Sequence, residues 1–189
     1  MKTTGDLIAI KQFMIAGKTN VEIATAVYNE YEAVRESIIN DFFDRVTKSL
    51  KRQKKFQSWQ MSYDGGFFVE EYAAYRLHKK IWQNRYDVRI EAWKYGERMN
   101  YGVWRDKTLL SRVERNSALL QAVRQKLPRA KARDYFEAEI WMDFPEPDWR
   151  QPKVIWRMIG DKKFEIEVAA LLSEVVDLAE QHIDRLMKA

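Results

Sequence analysis

The stretch that decides the fold is RIEAWKYGERMNYGVWRD, Arg89 to Asp106. Tyr95-Gly96 reads as a two-residue turn, because Gly96 suits the positive φ that such a turn requires. Lys94 then faces Glu97. Counting outward, Ala92 faces Met99, Ile90 faces Tyr101 and Val88 faces Val103, all on one side. The other side pairs Trp93 with Arg98, Glu91 with Asn100, Arg89 with Gly102 and Asp87 with Trp104. One side is apolar throughout, and the other is polar apart from its two tryptophans. A shift of one residue would mix the faces, so the alternation specifies the register.

Working outward, the N-terminal side reads as helical. Asp6 to Ala16 is short and mostly apolar, and Thr19 or Asn20 is placed to cap a second helix. In that helix Val27, Tyr31, Val34, Ile38, Phe42, Val46 and Leu50 recur at steps of three and four, one continuous apolar stripe. Phe56 to Tyr63 alternates as a strand does, Asp64-Gly65-Gly66 signals a turn, and Phe67 to Trp82 suits either period. On the C-terminal side, Asp106 or Thr108 is placed to cap a central helix carrying Leu109, Leu110, Val113, Leu120, Val123 and Leu127, stopped by Pro128. Strands are expected over Phe136 to Phe144 and Lys153 to Ile159, with a last helix over about Phe164 to Met187. The fold class is α+β: a largely antiparallel sheet of about five or six strands, packed against long N-terminal, central and C-terminal helices. Residues 1–53 form a helical segment and 54–189 an α+β domain, together one compact unit.

Composition narrows the function classes. With no cysteine there is no disulfide framework, thiolate metal site or cysteine nucleophile. No run approaches eighteen apolar residues, so no membrane span is expected and a cytoplasmic setting is the simplest reading. A net charge of +5 and a sequence pI near 9.3 permit contact with nucleic acid, which makes the placement of the charges the deciding matter. Lys48, Lys51, Arg52, Lys54 and Lys55 cluster at the end of the long helix; a helix end favours such cations, and phosphates would too.

Two resemblances bear on function. GKTNVEIATAVYNEYEAVRESI, Gly17 to Ile38, resembles the response-regulator type of helix-turn-helix: Gly17, Thr19, Asn20, Glu22, Ile23, Ala24, Val27, Val34 and Arg35 match its motif. That likeness implies two short helices and a DNA contact involving Lys18 and Arg35. Asn29 stands where the motif has a hydrophobic turn residue, and Glu30, Glu32 and Glu36 lie on the helix that would meet phosphates. From about Glu32 onward, EAVRESIINDFFDRVTKSL, the Gly-Gly turn, the IEAW…NYGVWRD hairpin and a terminal helix resemble the C-terminal accessory half of bacterial PD-(D/E)XK nuclease-family proteins. This implies a prokaryotic or phage DNA-processing context without catalysis of its own.

The nuclease pattern itself is met by Pro147-Asp148 followed by Asp161-Lys162-Lys163. Asp148 and Asp161 would be Mg²⁺ ligands and Lys163 the charge stabiliser. Glu137, Glu139 and Asp143 share one side of a strand and read first as a solvated face; His78 and His182 lack ligand spacing. Trp93 and Trp104 beside Arg89 and Arg98 suit base stacking or a protein partner, although cover by a helix is the favoured reading. The expectation is a non-enzymatic DNA-binding or DNA-processing accessory protein that meets phosphates through its basic N-terminal helices. A protein–protein interaction module and a divalent-metal nuclease are the alternatives. No cofactor or resident metal is expected. The partner is a nucleic acid or a nucleic-acid-processing protein, with self-association open.

Overall fold

The computed structural model describes residues 4–83, 85–106, 117–131 and 138–188. Two helices lead: α1, Thr4–Ile15, and α2, Lys18–Lys51. Strands β1, Gln60–Tyr63, β2, Ala74–His78, β3, Tyr86–Trp93, and β4, Arg98–Arg105, follow. Then come α3, Ser117–Lys126, β5, Ala138–Asp143, α4, Pro152–Gly160, and α5, Lys162–Leu186. The strands form one antiparallel sheet in the order β1-β2-β3-β4-β5, so the fold is α+β.

The β3–β4 hairpin has the register that the alternation predicts, from Val88 opposite Val103 to Trp93 opposite Arg98. Its turn places Tyr95 and Gly96 at φ 59° and 77°, and Glu97 N donates to Lys94 O at 3.1 Å. Gly96 also lies against Phe68, where a Cβ would come within 2.8 Å of the ring, so conformation and space both require glycine. The apolar face is closed by helices. Val88, Ile90, Ala92, Met99, Tyr101, Val103, Ile140 and Met142 share one core with Phe42, Phe43, Val46 and Leu50 of α2. Val168, Leu172, Val175, Val176 and Ile183 of α5 complete it. The aromatic centre is Trp149, in the loop before α4, ringed by Phe42, Phe43, Phe67, Phe144 and Phe164 at centroid distances of 5.1–6.2 Å.

Two expectations change. Lys153 to Ile159 is helical, within α4: Val154 and Met158, four apart, are buried, Ile155 is half-buried and Trp156 is exposed. Pro152 at the first turn is the start signal that the alternation masked. The helix-turn-helix division is also absent, because α2 runs unbroken through Asn29 to Lys51. It starts at Lys18 with Gly17 as its cap, and Asn20 instead donates its side-chain amide to Phe13 O at 2.8 Å. Thr108, Leu109, Leu110, Val113, Phe136 and Glu137 fall outside the described residues.

Candidate functional site

The apolar stripe of α2 divides into two halves. Ile39, Phe42, Phe43, Val46 and Leu50 are buried at 0–2% exposure. Above them Val27 is 58%, Tyr31 46% and Val34 53% exposed. No residue of α2 before Arg35 is fully buried, so this half of the helix stands clear of the body with α1 packed along it. The α1 sequence, TGDLIAIKQFMI, carries apolar residues on every side, a composition normally found in helices buried all round. Yet Ile8, Ile10, Phe13 and Ile15 are 45–74% exposed, and on α2 Val21, Ile23 and Tyr28 are exposed too. So many exposed large apolar side chains are uncommon on the surface of a folded monomer.

The basic cluster behind it is only partly free. Lys51 folds back, its Nζ donating to Gln57 O and Trp59 O, and Lys55 pairs with Asp177 of α5 at 2.5 Å. Lys18 lies 3.6 Å from Glu22. Arg35 is buried at 7%, its guanidinium 3.8 Å from the Phe68 ring centroid and bonded to Glu32 at 3.2 Å, so it is withheld from phosphates. Lys48, Arg52 and Lys54 remain exposed.

The polar side of the hairpin carries a charge ladder. Arg76 pairs with Asp64 and Asp87, and Arg89 grips Asp87 through two 2.6 Å bonds and reaches Glu91 at 3.2 Å. Glu91 in turn accepts from Trp93 Nε1 at 2.7 Å. Burial pushes the Glu91 carboxyl above the usual carboxylate range, against the opposing pull of Trp93 and Arg89. Asp143 takes both Arg98 and Lys131; its desolvation is overcome by their hydrogen bonds, which hold it below the usual range. Trp93 stacks on Trp141 at 5.9 Å, with Arg98 beside both rings, while Trp104 is 2% exposed under Arg89. Trp104 and Trp141 form a buried cluster separate from the main core. Arg89 and Trp104 are therefore buried in this face, whereas Trp93 and Arg98 are half-exposed.

The nuclease constellation has no support in geometry. Asp148 is held by Arg150 at 3.1 Å in a loop. Asp161 caps α5, accepting from Lys163 N at 2.9 Å, and meets Arg157 at 3.3 Å. Lys163 is exposed on the first turn of α5 rather than within a strand. Among the described residues no three His, Asp or Glu side chains gather as a metal site would require. His78 meets Gln60 at 2.7 Å. No helix among the described residues is long and apolar enough to cross a membrane.

The exposed apolar hairpin is the feature that sequence reasoning missed. Its signal is the all-round apolar character of α1, which a helix lying on a core does not need. No protein-family model matches this chain, and no curated protein or solved structure is significantly similar to it.

Proposed function

We propose that this chain is a protein–protein interaction module that docks through its projecting α1–α2 hairpin. The observation carrying this reading is that ten large apolar side chains between Ile8 and Val34 are 42–84% exposed on one two-helix element. Ile23, Val27 and Val34 recur at steps of four and seven along one side of α2, the spacing with which a helix fills a groove. The α+β body holds the hairpin through the buried half of α2. Replacing Ile23 and Val27 together by Glu is expected to abolish association with protein partners copurifying with the intact chain, while leaving the body folded by circular dichroism. Retention of every such partner by the double variant rejects this reading.

A nucleic-acid reading rests on a different observation, the exposure of Lys48, Arg52 and Lys54 at the body end of α2. Three free cations support weak, salt-sensitive phosphate contact. Its test is binding to duplex or single-stranded DNA at low salt, lost when these three are neutralised.

A further inference from the structure

We infer that two copies of this chain pair through their α1–α2 hairpins, antiparallel, about a two-fold axis next to Thr25. The inference rests on the reading of the hairpin as a docking element and names one of its partners: the chain itself.

Ten apolar side chains at roughly half exposure present on the order of 1,000 Å². A specific interface takes about 800 Å² from each partner, of which roughly 500 Å² is apolar. The two helices together carry about twice that amount, and Val21 and Tyr28 supply the apolar part of the α2 seam. The other side, with Ile23, Val27 and Val34, stays available to a different protein.

Lys18, Val21, Thr25, Tyr28 and Glu32 follow one another at steps of three, four, three and four, the seam spacing of paired helices. All five are exposed, and Tyr28 at 84% is the most exposed large apolar residue described. The seam has a cation at one end, a carboxylate at the other and Thr25 at its midpoint. Turned end for end on a second copy, it sets Lys18 against Glu32 twice, Val21 near Tyr28 twice, and Thr25 against Thr25. That is the self-complementarity a two-fold interface requires. A parallel pairing would bring Lys18 to Lys18 and Glu32 to Glu32, which like charges oppose. The partners these groups have within one chain, Glu22 at 3.6 Å from Lys18 and Arg35 at 3.2 Å from Glu32, are local and leave both side chains more than half exposed.

The absence of cysteine makes the test clean, since any introduced thiol is the sole thiol. Light scattering on the 189-residue chain should give twice the 22.6 kDa mass of one copy. Tyr28→Glu should halve that mass with unchanged helical circular dichroism. Under mild oxidation Thr25→Cys should bridge to itself. A mixture of Lys18→Cys and Glu32→Cys should give covalent dimer, whereas each alone should give several-fold less. Three results overturn the pairing: a wild-type monomer at every concentration, a dimer indifferent to Tyr28→Glu, or a Lys18→Cys variant that bridges to itself more readily than to Glu32→Cys. If the purified chain is monomeric and Val27→Cys, on the opposite side of α2, crosslinked in cells gives an adduct with another protein, self-pairing fails but the docking reading stands. A monomer that sediments with lipid vesicles, or one that gives no adduct at all, rejects both.

Discussion

At the scale of single residues, the tightest constraint is Gly102, in the middle of β4. A Cβ there would sit 2.0 Å from the Ile140 carbonyl oxygen across the β4–β5 pair, beside the register shift between Val103 and Trp104. Backbone cannot retreat as a flexible side chain would, so a methyl group must push two strands apart. Gly102→Ala is therefore expected to destabilise the fold by about 3 kcal/mol, the upper part of the overpacking range. A fall in the urea midpoint at unchanged m-value checks it. Asn100, one pleat away, is fully buried with both side-chain amide atoms unpartnered, so this polar face holds a polar group that no described neighbour satisfies.

At the scale of elements, α2 is one helix in two environments, and its two halves should respond differently to truncation. Phe42, 1% exposed and 5.2 Å from Phe164, should lose about 3–5 kcal/mol on replacement by Ala. Val27→Ala, 58% exposed, should alter the stability of the single chain by no more than about 0.5 kcal/mol. Chemical denaturation of the two variants, below any association threshold, separates these outcomes. The elements also show what is legible in the sequence. The β3–β4 register can be read because residues from Val88 to Val103 face partners in a pattern that keeps one side wholly apolar. The stripe from Val27 to Leu50 reads as part of a single helix, and it lies on one. Periodicity reports which way side chains point, however, and is silent on whether anything lies opposite, so the exposure of the upper half is not visible in it. The segment KVIWRMI misleads for another reason: Val154, Trp156 and Met158 alternate as in a strand, yet the helix buries only the first and third of them. A motif position assigns Arg35 to phosphates, whereas Tyr31 one turn before it and Phe68 on a distant loop make a slot for its guanidinium.

At the scale of the whole molecule, opposing carboxylates give stability a maximum on the acid side of neutrality. Glu91 has its folded value raised above the ordinary 4.5 by burial, so the folded state binds its proton more readily than the unfolded chain does. Acidification through that raised value therefore adds stability. Asp143, Asp148 and Asp184 are the reverse. Their desolvation is outweighed by hydrogen bonds from Lys131 and Arg98, from Arg150, and from Lys79 and Trp82 respectively, and each is held below the ordinary 3.8. Their contribution is present above 3.8 and is lost as pH falls through their lowered folded values. Unfolding midpoints recorded against pH should rise gently on acidification, then decline once the pH is under about 3.8. Glu91→Gln should flatten the first limb and leave the second.

The 34 residues of α2 contain neither glycine nor proline, and about 50 Å of uninterrupted helix joins the projecting half to the aromatic centre. Such a rod has no hinge. Whatever seizes the hairpin works a lever whose fulcrum is Glu36, fixed to Tyr63 Oη at 2.5 Å and to the Gly66 amide at 2.8 Å. The short arm ends among Phe42, Phe43 and Trp149, so a load applied at Tyr28 is delivered, undamped, to the middle of the core.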